Sequence, residues 1–309
     1  MNKHYLLFFL TILLIFSGTA QEIRQFTVAD FDLKGAVKTC QVITDYGQEI
    51  FEFDSLGRLV KVTTQYNEED KDITSYKYAL GELIEKRVES YKDNVLDLAS
   101  SMAYFYSIDS TDTKKIKEQI ISYDKEFVEI QEYHYNEEDQ LVKVITSHEN
   151  AVDEMRVEHS VYKNEQTTTY FENEIIQKSI RASEKNSKKW GTLSIVLTKT
   201  YLDGEPIEAE EERRNQDGLL ISKEMFRYNT EEKEFATQEK HLYSYDNEGV
   251  LSSETITQGN STFKKEYIFQ FDANEEKNWV KKIITPDNSF ATRQITYYPT
   301  PVAEVKMPE

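Results

Sequence analysis

From Val37 to Tyr298 apolar and polar residues alternate in short runs, and stretches with helical spacing are scarce. One unit recurs. In Phe51-Glu52-Phe53-Asp54-Ser55-Leu56-Gly57-Arg58-Leu59-Val60-Lys61-Val62, two aromatics at alternating positions lead into a four-residue turn signal and then into an apolar and basic strand. Tyr133 to Val144 repeats it in character, and Tyr243 to Leu251 does so again. Weaker copies lie at Tyr76-Lys77-Tyr78, where the turn is one residue short, and at Phe269-Gln270-Phe271-Asp272, which reaches Trp279 through an enlarged loop. Tyr104 and Tyr106 mark another, while Asn215-Gln216-Asp217-Gly218 keeps the turn without the aromatics. Lys114 to Ile121 could be drawn as a short helix, yet it sits inside a repeat.

The opening aromatics fall at 51, 76, 104 and 133, then at 243 and 269, in steps of 25, 28, 29 and 26. Val161 continues the series, and the gap from 161 to 243 has room for about three degenerate units. Aromatics two apart share one face of a strand. Asp or Asn at the first turn position bonds the backbone two residues on, and Gly at the fourth accepts a left-handed backbone. Each unit is therefore a hairpin closed by a type I turn and a Gly bulge. Tips are predicted at 54–57, 136–139, 215–218 and 246–249, with Phe53 opposite Leu59, Phe51 opposite Lys61 and a left-handed Asp139 where Gly is missing. The unit rests on Phe51, Phe53, Asp54, Gly57 and Leu59, on Tyr133, Tyr135, Asn136 and Leu141, on Tyr243, Tyr245, Asp246, Gly249 and Leu251, and on Phe269, Phe271, Asp272 and Trp279.

Composition narrows the class. At 309 residues two domains would be ordinary, but the repeat unites 21–298 into one array, between a leader at 1–20 and a tail at 299–309. An aromatic share of 12% argues for a folded chain despite 30% charged residues. A net charge of −19 repels phosphate backbones, which excludes nucleic acid as a partner. Cys40 is the sole cysteine, so no intramolecular disulfide or multi-Cys zinc site forms. Lys3 and His4, the apolar stretch Tyr5 to Phe16 and the small residues Ser17 to Ala20 make a secretory signal peptide, too short for a stable span. Export to the periplasm or the medium is expected.

The unit of an aromatic, one residue, Tyr-Asp, two residues, Gly, one residue and Leu resembles that of YD-repeat, or RHS-repeat-like, proteins. Tyr243 to Leu251 matches in full, and Phe51 to Leu59 does so with Phe53 for Tyr. Asp32 to Lys38, Asn278 to Ile283 and Arg293 to Tyr298 are similar to segments of short secreted members from Gram-negative bacteria. The resemblance implies a mainly β fold, hairpins side by side in one continuous twisted antiparallel sheet after an N-terminal signal helix, and it carries no catalytic residues.

Chemistry is sparse. His134 alternates with Tyr133 and Tyr135 and has no second His at ligand spacing; His148, His159 and His241 form no metalloprotease pattern. Asn67 to Asp72 is acidic but lacks the oxygen spacing of a calcium loop. Arg181 to Lys189 is a basic island. No catalytic, cofactor or metal residue is assigned. The expectation is a monomeric, non-enzymatic secreted scaffold that binds a protein or glycan through an aromatic sheet face. Alternatives are an extracellular polymer hydrolase with unassigned carboxylates and a structural envelope component.

Overall fold

The computed structural model describes residues 23–44, 47–149 and 151–299, so the expected signal helix and residues 300–309 lie outside the described residues. Twenty strands follow one another: β1 Val37–Thr44, β2 Gly47–Phe53, β3 Leu59–Gln65, β4 Lys71–Ala79, β5 Glu82–Lys92, β6 Val95–Asp109, β7 Lys115–Ser122, β8 Val128–Tyr135, β9 Leu141–Ser147 and β10 Val152–Tyr162. Then come β11 Glu165–Glu172, β12 Ile175–Ser187, β13 Gly191–Leu202, β14 Glu205–Arg214, β15 Leu220–Asn229, β16 Glu234–Tyr245, β17 Leu251–Gln258, β18 Ser261–Phe271, β19 Trp279–Thr285 and β20 Ser289–Tyr297. Among the described residues one 3-10 turn, Val28–Phe31, precedes them.

Each strand pairs antiparallel with the next, and β20 returns to β1 through Val37↔Tyr297, Cys40↔Ile295 and Val42↔Arg293. The sheet is therefore a closed up-and-down barrel. This overturns the open YD/RHS-like array: the first and last strands, which such a sheet leaves as edges, are bonded to each other. A bulge accompanies the tips between Phe53 and Leu59, Tyr135 and Leu141, Arg214 and Leu220, Tyr245 and Leu251, and Phe271 and Trp279. Bulges bend and twist their strand, and regularly spaced bends curl a sheet until its ends meet.

The tips themselves follow the turn chemistry. The Oδ1 atoms of Asp54, Asn136, Asn215 and Asp246 each accept from the backbone amides two and four residues on, at 2.9–3.0 Å. Gly57, Gly218 and Gly249 have φ of 77°, 81° and 79°, and Asp139 takes the same role at 59°. In the enlarged loop, Lys277 is left-handed at φ 50° and Asp272 Oδ1 accepts from Asn278. Phe53 faces Leu59 as expected. Phe51 faces Val62 rather than Lys61, because Val60 is the bulged residue and advances the register by one.

Strands are staggered. Cys40 stands level with Phe51, Val62, Thr74, Val88, Met102 and Ser122, passing from mid-β1 to the last residue of β7. Such shear tilts the strands, and twenty of them at about 4.8 Å spacing and about 40° tilt close at a backbone radius of roughly 20 Å. Extended contacts between strands join only ladder neighbours, so the described strands form a single layer. Two apolar clusters brace the wall. One joins Leu33, Val37, Cys40, Phe53, Leu59 and Val62; the other joins Ile116, Tyr133, Tyr135, Leu141, Val144, Met155 and Val157.

Candidate functional site

Pairing fixes which side chains share a face. Starting from Cys40 and Phe51, one face runs through Val62, Lys86, Tyr104, Ile116, Tyr133, Val144, Val157, Tyr170, Ile180, Glu212, Lys223, His241, Glu254, Lys265, Phe269, Lys282 and Arg293. Side chains crowd on the concave side of a curved sheet, and this is the more buried face: His241, Glu254 and Lys265 are 4%, 3% and 8% exposed. It lines the lumen. The opposite face carries ion pairs between neighbouring strands, including Lys61–Glu52, Lys77–Glu85, Lys117–Glu132 and Lys240–Glu224.

Among the repeat residues, Phe53, Leu59, Tyr133, Tyr135, Leu141 and Trp279 are buried, and Phe51, Tyr243, Tyr245, Leu251 and Phe269 are half-buried. Asp54, Gly57, Asn136, Asp246, Gly249 and Asp272 shape the tips, and Phe271 closes the last bulge. The expected aromatic binding face is thus turned inward and knitted into the wall. That overturns the secreted scaffold that presents its sheet face to a protein or glycan.

Three polar clusters on the luminal side were missed by reading residues singly. On β16–β18, His241 Nδ1 meets Glu254 Oε1 at 2.6 Å, its Nε2 meets Glu239 Oε1 at 2.7 Å, and Tyr267 donates to Glu254 Oε2 at 2.6 Å. The bond to Glu254 raises the His241 pKa against the opposing effect of burial. Burial would raise Glu254, but the bonds from His241 and Tyr267 outweigh it and hold the carboxyl below its ordinary range. On β7–β8, buried Tyr133 donates to Glu118 at 2.8 Å, and burial followed by that charge drives its phenol far up.

The third cluster fastens the N-terminal segment to the wall. Trp279 Nε1 donates to Asp32 Oδ2 at 2.9 Å, and Arg293 lies 3.6 Å over the Trp279 ring while donating to the carbonyls of Phe31 and Asp32. Lys282 is pushed down to about 8, first by burial and then by Arg293. Cys40 is buried, and its thiol is pushed up to about 11 by desolvation. Among the described residues no group of His, Cys, Asp and Glu could hold a metal.

The parity of the strand could have revealed the first cluster, since His241 shares a face with Tyr243 and Tyr245. No protein-family model and no curated protein matches the chain. Among solved structures it is similar to a porin-like protein from Bacteroides vulgatus at 10% identity, over 85% of this chain and 99% of that one, with a TM-score of 0.26, a superposition too loose to carry a functional argument.

Proposed function

We propose that this chain is an exported, non-enzymatic barrel whose water-filled lumen takes in hydrophilic solutes. The ladder between β1 and β20 carries this reading, because it closes the wall around a space lined by ionisable and phenolic groups. Barrels of 16–18 strands already enclose an aqueous channel. The luminal His241 has both ring nitrogens engaged by carboxylates, which suits a wall group better than a proton donor to substrate. Outward positions support an aqueous setting in the periplasm or outside the cell. A barrel in lipid shows an apolar band about 25 Å tall, and a Lys or Arg facing the bilayer midplane costs about 2–4 kcal/mol. Here Lys143, Arg156 and Lys240 occupy that side of their strands.

The test is chemical. Thr198 lies on the luminal face and Lys199 on the outer one. In a Cys40→Ala background, a charged thiol reagent is expected to modify Thr198→Cys about as fast as Lys199→Cys. Strong protection of Thr198→Cys would overturn the open lumen, and dye release from lipid vesicles by the folded protein would overturn the aqueous placement.

A further inference from the structure

The outward face of the wall changes character where the barrel closes. On the far side neighbouring strands exchange ion pairs, as in Lys117–Glu132, Lys143–Glu154 and Arg181–Glu165. At the seam the outward positions are Thr292, Gln294 and Thr296 on β20 and Thr39, Gln41 and Ile43 on β1. Gln48 and Ile50 on β2, Thr63 and Gln65 on β3 and Ile73 on β4 continue the same face. None of these side chains ionises, in a chain with 30% charged residues and a net charge of −19. Charge resumes at Lys281, which stands level with Thr292, and at the Glu52–Lys61 pair toward the tips. Exposed Phe290 ends the patch at the other rim.

Such a face fits a second copy of the same chain. Two acidic copies repel each other, and at the seam their walls can touch without bringing ionised groups together. The hydrogen bonding there is also self-complementary. Gln41 Nε2 donates to Gln48 Oε1 at 2.6 Å, and Gln48 Nε2 donates to Gln65 Oε1 at 2.7 Å. This oblique row has an acceptor end at Gln41 Oε1 and a donor end at Gln65 Nε2. A two-fold axis through Gln48 reverses the row and sets each donor end on the acceptor end of its mate, the match that an isologous interface requires. Five strands at about 4.8 Å spacing and three outward levels about 6.8 Å apart give roughly 500 Å² on each copy, the low end of specific interfaces. We propose that the closure seam, β20 with β1 to β4, is the face through which two copies of this chain associate side by side as a weak two-fold dimer. The association is independent of what the lumen admits.

Sedimentation equilibrium of the full chain between about 10 and 300 μM covers the affinity that such an area supports. The dimer fraction is expected to rise between about 20 and 300 mM salt, because screening relieves the net repulsion and no ion pair holds the patch together. Ile50→Lys sets a cation beside its own mate and should weaken association at least about tenfold, whereas Thr169→Lys, outward on β11 across the barrel, should leave it unchanged. Mixing Ile50→Lys with Ile50→Glu chains should restore a dimer that neither forms alone, and Thr63→Lys with Thr63→Glu gives the same test if the Ile50 variants do not fold. A chain that stays single at high salt, a dimer that salt weakens, or a dimer indifferent to Ile50→Lys would overturn the seam interface. Binding to phosphatidylcholine vesicles that Ile50→Lys abolishes, with no dimer in solution, would assign the face to lipid instead and would also overturn it.

Discussion

The hydroxyl of Tyr78 donates to the backbone carbonyl of Leu59 at 2.8 Å, tying one hairpin to the return strand of the hairpin before it. Tyr245 does the same to Leu220 at 2.7 Å, and His159 Nε2 meets the carbonyl of Leu141 at 2.7 Å. At Tyr78 and Tyr245 the second aromatic of the repeat is thus a stitch between units as well as apolar filling. Tyr78→Phe and Tyr245→Phe are each expected to cost about 1 kcal/mol, the usual net value of such a bond. The two sites share no partner, so their costs should add in urea unfolding. A neutral double variant would show that ring packing alone carries the repeat.

The tips separate backbone strain from steric contact. A Cβ on Gly218 would meet nothing within 4 Å, so the positive φ is the only penalty there. Gly218→Ala should therefore destabilise by about 1 kcal/mol, and Asp139→Gly should stabilise by about 0.5–1 kcal/mol. Asp139 also loses an exposed pairing with Lys114, worth little at the surface. Unfolding midpoints that moved in the same direction for both variants would refute this account of the turns.

Much of the local architecture was legible because it is local. Asp54 and Gly57 lie within one turn, and their side-chain and backbone preferences specify it without help from distant residues. Closure was not legible: Cys40 and Ile295 meet across nearly the whole chain, and no residue near either marks the other as its partner. Alternation correctly set His134 apart from Tyr133, but which face points inward depends on the summed bends of many bulges. The anchor from Asp32 to Trp279 was hidden for the same reason of sequence distance.

Acidity should act through His241 and Glu254 in opposite senses. The folded pKa of His241 is raised, so its contribution is fully present below the unfolded value of about 6.5 and is lost as pH climbs through the folded value. Glu254 is lowered, so its contribution is present above about 4.5 and is lost as pH falls through its folded value. The pair is strongest between those limits. Replacing His241 with Gln should cost most near pH 6 and progressively less at alkaline pH. A penalty independent of pH would show that the imidazole serves only as packing.

Lys282 predicts the reverse dependence. Its folded pKa of about 8 lies below the unfolded value near 10.5, so protonation favours the unfolded chain and stability rises with pH between the two. Lys282→Met removes a half-buried cation that sits beside Arg293 and 5.3 Å from the Trp279 ring, and should stabilise the barrel at neutral pH by on the order of 1 kcal/mol. The same substitution should flatten the rise above pH 8. Loss of stability at neutral pH would mean that the ammonium is needed by the Trp279 cluster.

Ring closure has a consequence that an open array lacks. Removing the last strand of an open array leaves a shorter array with the same number of edges. Removing β20 from this barrel converts a wall with no edge into one that exposes the full lengths of β1 and β19, whose apolar positions include Val42, Ile43, Ile283 and Ile284. Unpaired strands recruit other chains unless charge or Pro blunts them, and β1 carries a single Lys for that purpose. A chain ending at Thr285 is therefore expected to self-associate in sedimentation at concentrations where the full chain remains a single species. A truncated chain that stayed monomeric with its strand content intact would show that the ladder between β1 and β20 does not hold the wall closed.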